Sequence, residues 1–536
     1  MAELLIANPL GTLMLGLLLG ASVTLAPSWT VGMVGGVVAI LMLVFLRVRF
    51  WEWTRSERLG RSSWIYACVS LFSIIGLNLI KIDMFPHSEF GTAELLGNCI
   101  LLVSSYPMWR YLRSHASPIP FVPTTALMYG LYFGIPAIIP FQPYGVVREA
   151  SDHSRLIALE LTLTGLICLL VSTYGIPSSI WRGFPQFSGE WSRPRVLRLV
   201  FVFTVIAIPA KVYSVFGEVP IAIQGFLGFL GELLNLACAL LFILQLRGHL
   251  STPLKLFVWA VLAPAIISIH LASGLIGPAV NFGIMLFLVY VSVRKSIPWT
   301  VLLVALPLLF ALQSAKDVFR SLTWEVTNRT LEADVVTKTK IYLDLTLSLL
   351  SEADEDLAKD GLERLVQRIN YLAIFAHVVD LTPSQVPYWE GSSYAPLFLV
   401  MIPRVLFPDK PKDYLGQEFG HAYYIIDFTN TETSVNVAQI VEMYANFGAL
   451  GVCLGMFILG IVLSLLSHIF NHNNLGDLGI VGSSLIFAHL AHIESNLSLV
   501  YGSLIYWLPT LYVLRSILRS PTVGNSALKH KEAYCS

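Results

Sequence analysis

The stretch VPIAIQGFLGFLGELLNLACALLFILQL (219–246) decides the fold class. Its only charged residue is Glu232, and Arg247 follows it directly. An α-helix rises 1.5 Å per residue, so about 20 apolar residues cross the hydrocarbon core of a bilayer. This run is long enough and apolar enough to do so. Working outward, thirteen further runs of the same kind bring the expected spans to fourteen: 5–26, 28–47, 62–80, 93–109, 118–140, 155–177, 196–214, 254–273, 275–292, 297–315, 446–469, 477–496 and 499–517, besides 219–246. The expected fold class is an all-α polytopic membrane protein. With 55% hydrophobic and 13% charged residues, the 536-residue chain carries about half the charge of a soluble globule, roughly 25%. The formal net charge is zero, so no basic field draws nucleic acid. Six scattered cysteines, with no CxxC pair, read as packing residues and not as a zinc site or disulfide framework. The N-terminus lacks a basic region ahead of its first apolar run, so a cleaved signal is not expected.

Lys/Arg placement orients the spans, because cytoplasmic loops are enriched in both. Arg47, Arg49, Arg55, Arg58 and Arg61 follow span two, and Arg110 and Arg113 follow span four. Arg182, Arg193 and Arg195 follow span six, Arg247 and Lys255 span eight, Arg294 and Lys295 span ten. The alternate loops are poorer, with 141–155 (Arg148, Arg155) the near-tie. Both termini are therefore expected in the cytoplasm, and the loop after span eleven outside. This gives an N-terminal membrane region (1–315, about eleven spans), a large outer loop (316–444), three C-terminal spans (445–518) and a tail (519–536). No internal repeat is evident, which weighs against a transporter built from repeats.

The outer loop is expected to be partly helical. Leu343, Leu347, Leu350, Leu362, Leu365, Ile369 and Leu372 show helical spacing over 341–380, and Ser351 is a candidate cap. The acidic run 352–360 reads as a solvated face. The apolar piece 396–403 is too short to span and is expected at the interface. Pro403, Pro408 and Pro411 stiffen the segment that carries Arg404, Lys410 and Lys412. Cations so placed suit a phosphate or diphosphate, or ordinary lipid headgroups.

At these residues the chain resembles bacterial oligosaccharide repeat-unit polymerases, the Wzy-type O-antigen polymerase family. The strings are QSAKDVFR (313–320), QRINYL (367–372), YWEGSSY (388–394), IPRVLFPDKP (402–411), GQEFGHAYY (416–424), TS (433–434), EMYANFGALG (442–451) and HIES (492–495). The resemblance covers about 313–500; the first ten spans share only apolarity and number with the family. It implies a GT-C-like membrane glycosyltransferase of the bacterial inner membrane. Its donor and acceptor would be lipid-linked oligosaccharides on undecaprenyl diphosphate. It would work in the lipid bilayer, beside a flippase and a chain-length regulator, with no cofactor and no metal.

That chemistry calls for a cation at the leaving diphosphate, a base for the acceptor hydroxyl and groups to hold two sugars. Arg404 is first for charge stabilisation, then Arg368, Lys410 and Arg320, because guanidinium stays charged and forks onto phosphate. Lys316 and Arg320 double as juxtamembrane anchors, and Arg368 has Glu363 and Asp360 as rival partners. Glu442 is the first candidate base, or else a structural partner for Arg404 or Arg368. His421, with Tyr423 and Tyr424, binds sugar, serves as base or merely packs. His492 and Glu494, near the outer end of span thirteen, complete the pocket or reach water. Asp354 to Asp356 carries a D-x-D spacing of little weight as a metal site. Lys211 and Glu232 are candidates to pair within the membrane, although their depths match poorly. An O-antigen ligase-type transferase shares this chemistry. A flippase or transporter, or a non-catalytic component of an assembly complex, ranks below.

Overall fold

A computed structural model describes residues 91–114, 118–139, 150–189, 191–217, 219–324, 335–351, 367–399, 415–430, 433–472 and 474–518, with a few positions in 70–79 and residue 407. The described chain is helical: α1 (Thr92–Ser114), α2 (Phe121–Ile138), α3 (Asp152–Gly175), α4 (Arg193–Phe216), α5 (Ile221–Leu246), α6 (Thr252–Ala272), α7 (Ile276–Arg294), α8 (Trp299–Trp324), α9 (Val335–Ser351), α10 (Tyr371–Leu381), α11 (Leu415–Ala422), α12 (Gln439–Phe470), α13 (Gly476–Leu490) and α14 (Leu497–Leu518, interrupted at Ser503).

Eight of these helices are long and apolar enough to cross a membrane: α2 to α7, α12 and α14. Each coincides with one of the expected spans. Of the other expected spans, 5–26 and 28–47 lie outside the described residues, and 62–80 does so for the most part. The run 93–109 forms α1, 23 residues long but less apolar than the eight. The apolar part of α8, Trp299–Gln313, and the 15-residue α13 are shorter than a full crossing. The chain therefore is a helical protein with several spans.

Two boundaries differ from the sequence reading. The helix expected to end at 315 runs on to Trp324, carrying Lys316 and Arg320 with it. α9 is described as far as Ser351, and the residues that Ser351 is expected to cap lie outside the described residues. The span expected over 477–496 leaves the helix after Leu490, and 491–496 becomes an irregular turn.

Side-chain size sets the packing. α3 begins at Ser151, whose hydroxyl accepts the Ser154 N–H, and Asp152 favours the same positive helix end. α3 then lies along α12. At Gly460 of α12 a Cβ would sit 2.0 Å from Ser172 Oγ and 2.5 Å from the Leu169 carbonyl, so only glycine allows the approach. α4 and α5 form an antiparallel pair, held inside by Lys211 Nζ on Glu232 Oε1 at 2.6 Å. Asn235 donates to the other carboxylate oxygen at 2.6 Å. The long lysine stem spans the mismatch in depth that the sequence suggested.

That pair is 12% and 29% exposed. Lys211→Met is expected to cost about 2 kcal/mol, short of the 3–5 typical when one partner of a fully buried pair is removed. Thermal unfolding in detergent reads the loss, and Lys211→Met with Glu232→Leu should recover most of it.

The connections fall at two ends. At one end Asn471 grips Ile119, with Oδ1 accepting its N–H (2.8 Å) and Nδ2 donating to its carbonyl. There too Phe187 N–H donates to the Ile469 carbonyl and Arg247 meets Asp477 at 2.7 Å. At the other, α10 and the segments around it close over the start of α3, α7 and α12 and the turn after α13.

Candidate functional site

The first turns of α12 are the scaffold. Glu442 is fully buried there. Its Oε1 accepts the Ser393 hydroxyl at 2.8 Å and its Oε2 accepts the Leu497 N–H at 2.7 Å. Asn446 donates to Ser393 Oγ at 2.7 Å and to the Glu442 carbonyl at 2.8 Å, while its own oxygen takes the Gly391 N–H at 2.8 Å. The carbonyls of Ala445 and Asn446 accept the N–H groups of Trp389 (3.0 Å) and Glu390 (3.2 Å). Carbonyls used this way leave the helical ladder, and α12 breaks at Phe447 and Gly448. Gly448 takes φ 63°, ψ −148°, a region open essentially to glycine alone, and a Cβ would lie 2.8 Å from the Tyr388 hydroxyl. One turn earlier, the Gln439 N–H holds the Ile493 carbonyl (3.0 Å) and its amide holds the His492 carbonyl (3.3 Å).

This places the 491–496 turn, which carries a histidine–carboxylate dyad. His492 Nδ1 meets Glu494 Oε1 at 2.8 Å, and Nε2 meets Asn281 Oδ1 of α7 at 2.9 Å. The carboxylate accepts, so Nδ1 carries a proton. As Asn281 is oriented, Nε2 faces the amide oxygen; with the amide turned over, it faces the NH2 group and accepts. Both ring nitrogens therefore have a protein partner.

Beside it stand Tyr371 of α10 and Tyr132 of α2, ring centroids 5.2 Å apart and planes tilted by 38°. Both feel the charges of Glu494 and Arg368. Burial, then the nearby Glu494 carboxylate, pushes the Tyr371 phenol up, while a hydrogen bond with Asn436 and the Arg368 charge oppose the shift. Arg368 itself is exposed, one residue turn ahead of α10. The arrangement offers an exposed guanidinium, a proton acceptor oriented by a carboxylate, and an aromatic pair in one place.

α10 is fixed at both ends. Asn370 caps it, accepting the Ala373 N–H at 3.2 Å. Asp380 near its C-terminus accepts the hydroxyls of Ser154 (2.7 Å) and Ser151 (2.9 Å) at the start of α3. Those two hydrogen bonds, Ser154 first, hold the Asp380 carboxyl below its usual value. A depressed folded pKa means that the tie is complete above the unfolded value, near 4, and is lost as pH falls through the lower folded value. Since the group is largely solvated, the contribution is a few tenths of a kcal/mol. Asp380→Asn should accordingly remove a small acid-dependent part of the stability, seen as a flatter melting temperature against pH below about 5.

Of the residues singled out in the sequence, Arg368, His492 and Glu494 come together here, and Glu442 supports them from below. His421 and Tyr424 make other contacts: His421 Nε2 bonds the Asn430 carbonyl at 3.0 Å, its ring lies against Phe428, and Tyr424 is exposed at φ 56°. Tyr423 is buried against Trp389 and Phe419 and bonded to Thr382, and burial pushes its phenol up to about 12. Packing is the reading that fits Tyr423. Arg320 donates through Nε to the Gly274 carbonyl at 3.1 Å, clasping the turn between α6 and α7, and Lys316 is buried. Arg404, Lys410, Lys412 and the Asp354–Asp356 run lie outside the described residues. The sequence reading passed over Asn281, Tyr371, Ser393 and Asn446. Asn281 had a signal, as an amide inside an apolar span; the other three sit within the quoted strings without a charge to mark them.

Residues 187–523 match the family described as Domain of unknown function (DUF8712). The chain belongs to that family. The family match spans α4 to α14 and includes the dyad, Asn281, Arg368 and Glu442. No curated protein matches the chain, and no solved structure does.

Proposed function

We propose that the protein is a membrane glycan transferase that polymerises lipid-diphosphate-linked oligosaccharide units at the outer ends of its helices. One observation carries the reading. The strings that resemble repeat-unit polymerases, 367–372, 388–394, 442–451 and 492–495, lie far apart in sequence yet meet at one end of the bundle, around the His492–Glu494 dyad. The opposite end carries the loops rich in Arg and Lys, which supports a cytoplasmic placement for that end. On this reading the fold is GT-C-like with about fourteen spans, set in a bacterial inner membrane with both termini inside. Flippase and chain-length regulator are its working neighbours.

In the proposed reaction the acceptor hydroxyl attacks the anomeric carbon of the donor. The new C–O bond forms as the bond to the diphosphate oxygen breaks, and the lipid diphosphate leaves with the electron pair. Neutral His492 takes the hydroxyl proton at Nε2, and Glu494 stabilises the resulting imidazolium. Arg368 faces the leaving diphosphate, and Tyr132 with Tyr371 gives a ring surface for a sugar. The base moves from Glu442 to His492 because Glu442 is fully buried, whereas the His492 side chain is 30% exposed and the acceptor hydroxyl can replace Asn281 at Nε2.

The test is deletion in the native host with gel analysis of the surface polysaccharide. A polymerase predicts loss of the length ladder with single units retained. Polysaccharide ladders made normally but left unattached mark a ligase-type transferase. The Lys211–Glu232 pair favours a transport reading, since ionisable groups inside spans mark pathways; complete loss of surface glycan would favour it.

A further inference from the structure

At the opposite end of the bundle from the dyad lies a cavity of about 390 Å³, between the ends of α1, α3 and α12. Its size is within the range of small-molecule sites, roughly 300–1,000 Å³. Arg110, Tyr174 and His468 stand at it, with Ser464, Trp181 and Phe121 among the walls. The rim is built and not incidental: the Tyr111 hydroxyl donates to the Pro118 carbonyl at 2.9 Å, and Asn471 clamps Ile119. The Arg110 guanidinium lies 4.6 Å from the centre of the Tyr174 ring. Among the described residues it meets no carboxylate. Ser464 Oγ is buried there without a hydrogen-bond partner. A guanidinium and an imidazole at one cavity, with no carboxylate beside the guanidinium among the described residues, are complementary to an anion with several acceptor oxygens.

The helices that form the cavity also say what the anion is attached to. On α1, Leu102 and Tyr106 are exposed at four-residue spacing, and Arg110 ends that row. On α3, Ile167, Val171 and Tyr174 form a second exposed row. Tyr106 and Tyr174 interact, so the rows are neighbours. An apolar strip exposed on two helices and closed at its end by a cation matches an amphiphile with tails along the strip and its head at Arg110. The cavity has room for a headgroup and not for acyl chains, which then lie on the strip.

We propose that this cavity binds the phosphate-bearing headgroup of an anionic membrane phospholipid, on the face opposite the candidate active site. The site is separate from the proposed glycan chemistry and stands or falls without it. The protein is reconstituted in nanodiscs of equal phosphatidylglycerol and phosphatidylcholine, and lipids retained after extraction are measured by native mass spectrometry. Preferential retention of phosphatidylglycerol, reduced about tenfold or more in Arg110→Ala with His468→Ala and unchanged in Arg294→Ala, is the expected result. Arg110 is exposed at the rim, so Arg110→Gln serves if the double variant does not fold. Ser464→Leu, which fills the wall without touching the charge, should also lower retention. Equal retention of both lipids, or equal loss in Arg294→Ala, overturns the proposal. Complete displacement of the lipid by excess inorganic phosphate would assign the site to a soluble phosphate compound and overturn it as well.

Discussion

Glu442→Ala is expected to cost about 3–5 kcal/mol and to leave little folded protein in the membrane. The side chain is completely buried, and its two oxygens accept from Ser393 and from the Leu497 backbone. Truncation strands both donors, each worth roughly 1–3 kcal/mol when left unsatisfied, and opens a void. Those donors come from the two segments that frame the site, so the loss spreads beyond one residue. Glu442→Gln separates the structural role from a catalytic one. An amide oxygen still accepts one of the two hydrogen bonds, but its NH2 group faces a donor. The glutamine variant should therefore melt lower than the wild type while keeping measurable activity per folded molecule. A glutamine variant with wild-type stability and no activity would return Glu442 to the role of base.

The second large effect is on rate. His492→Ala should lower glycan elongation by about 10²- to 10⁴-fold, the usual contribution of a positioned general base. Glu494→Gln keeps a hydrogen-bonding partner for Nδ1 but removes the charge that stabilises the imidazolium, so it should fall between the alanine variant and wild type. Arg368→Ala should weaken use of the lipid diphosphate donor, with Arg368→Lys restoring part of it, because lysine keeps the charge and loses the fork. The measurement is the ladder produced from lipid-linked units by purified protein, with melting temperature recorded for each variant. A His492→Ala protein that folds normally and still extends chains at the wild-type rate would end the dyad assignment.

The two outcomes differ because sequence speaks unevenly about spans and partners. Apolar runs such as 219–246 and 446–469 are legible because crossing a bilayer demands length and apolarity, which composition records directly. The pairing of Lys211 with Glu232 was legible as a possibility, since a charge inside a span demands a partner. Glu442 was legible as important and not as to role. Its donors, Ser393 and Leu497, are uncharged and stand 49 and 55 positions away, and nothing in a one-dimensional pattern ties them to it. His492 and Glu494 were expected near the end of a span. The span ends at Leu490, however, because backbone contacts with Gln439 compete with continued helix. The cationic string around Arg404 carried the most weight in the sequence, through residue type and its prolines, and lies outside the described residues; the described geometry brings another cation, Arg368, beside Tyr371 and Glu494.

The break in α12 at Phe447 and Gly448 has a mechanical meaning. Above it, 439–446 is tied to the segments that frame the dyad; below it, the helix continues to Phe470 with one face packed on α3 and the other, with Leu450, Leu454 and Ile458, exposed. Helices respond to a thicker or thinner bilayer by tilting, at a cost of fractions of a kcal/mol per Å of mismatch. A continuous rod would carry that tilt straight into the dyad's supports. A joint at a glycine takes up part of that tilt between the two segments while the lower one stays packed on α3, so less of it reaches the supports of the dyad. Activity in reconstituted bilayers of different acyl-chain length should then vary little, whereas a variant stiffened at Gly448 should become sensitive to thickness.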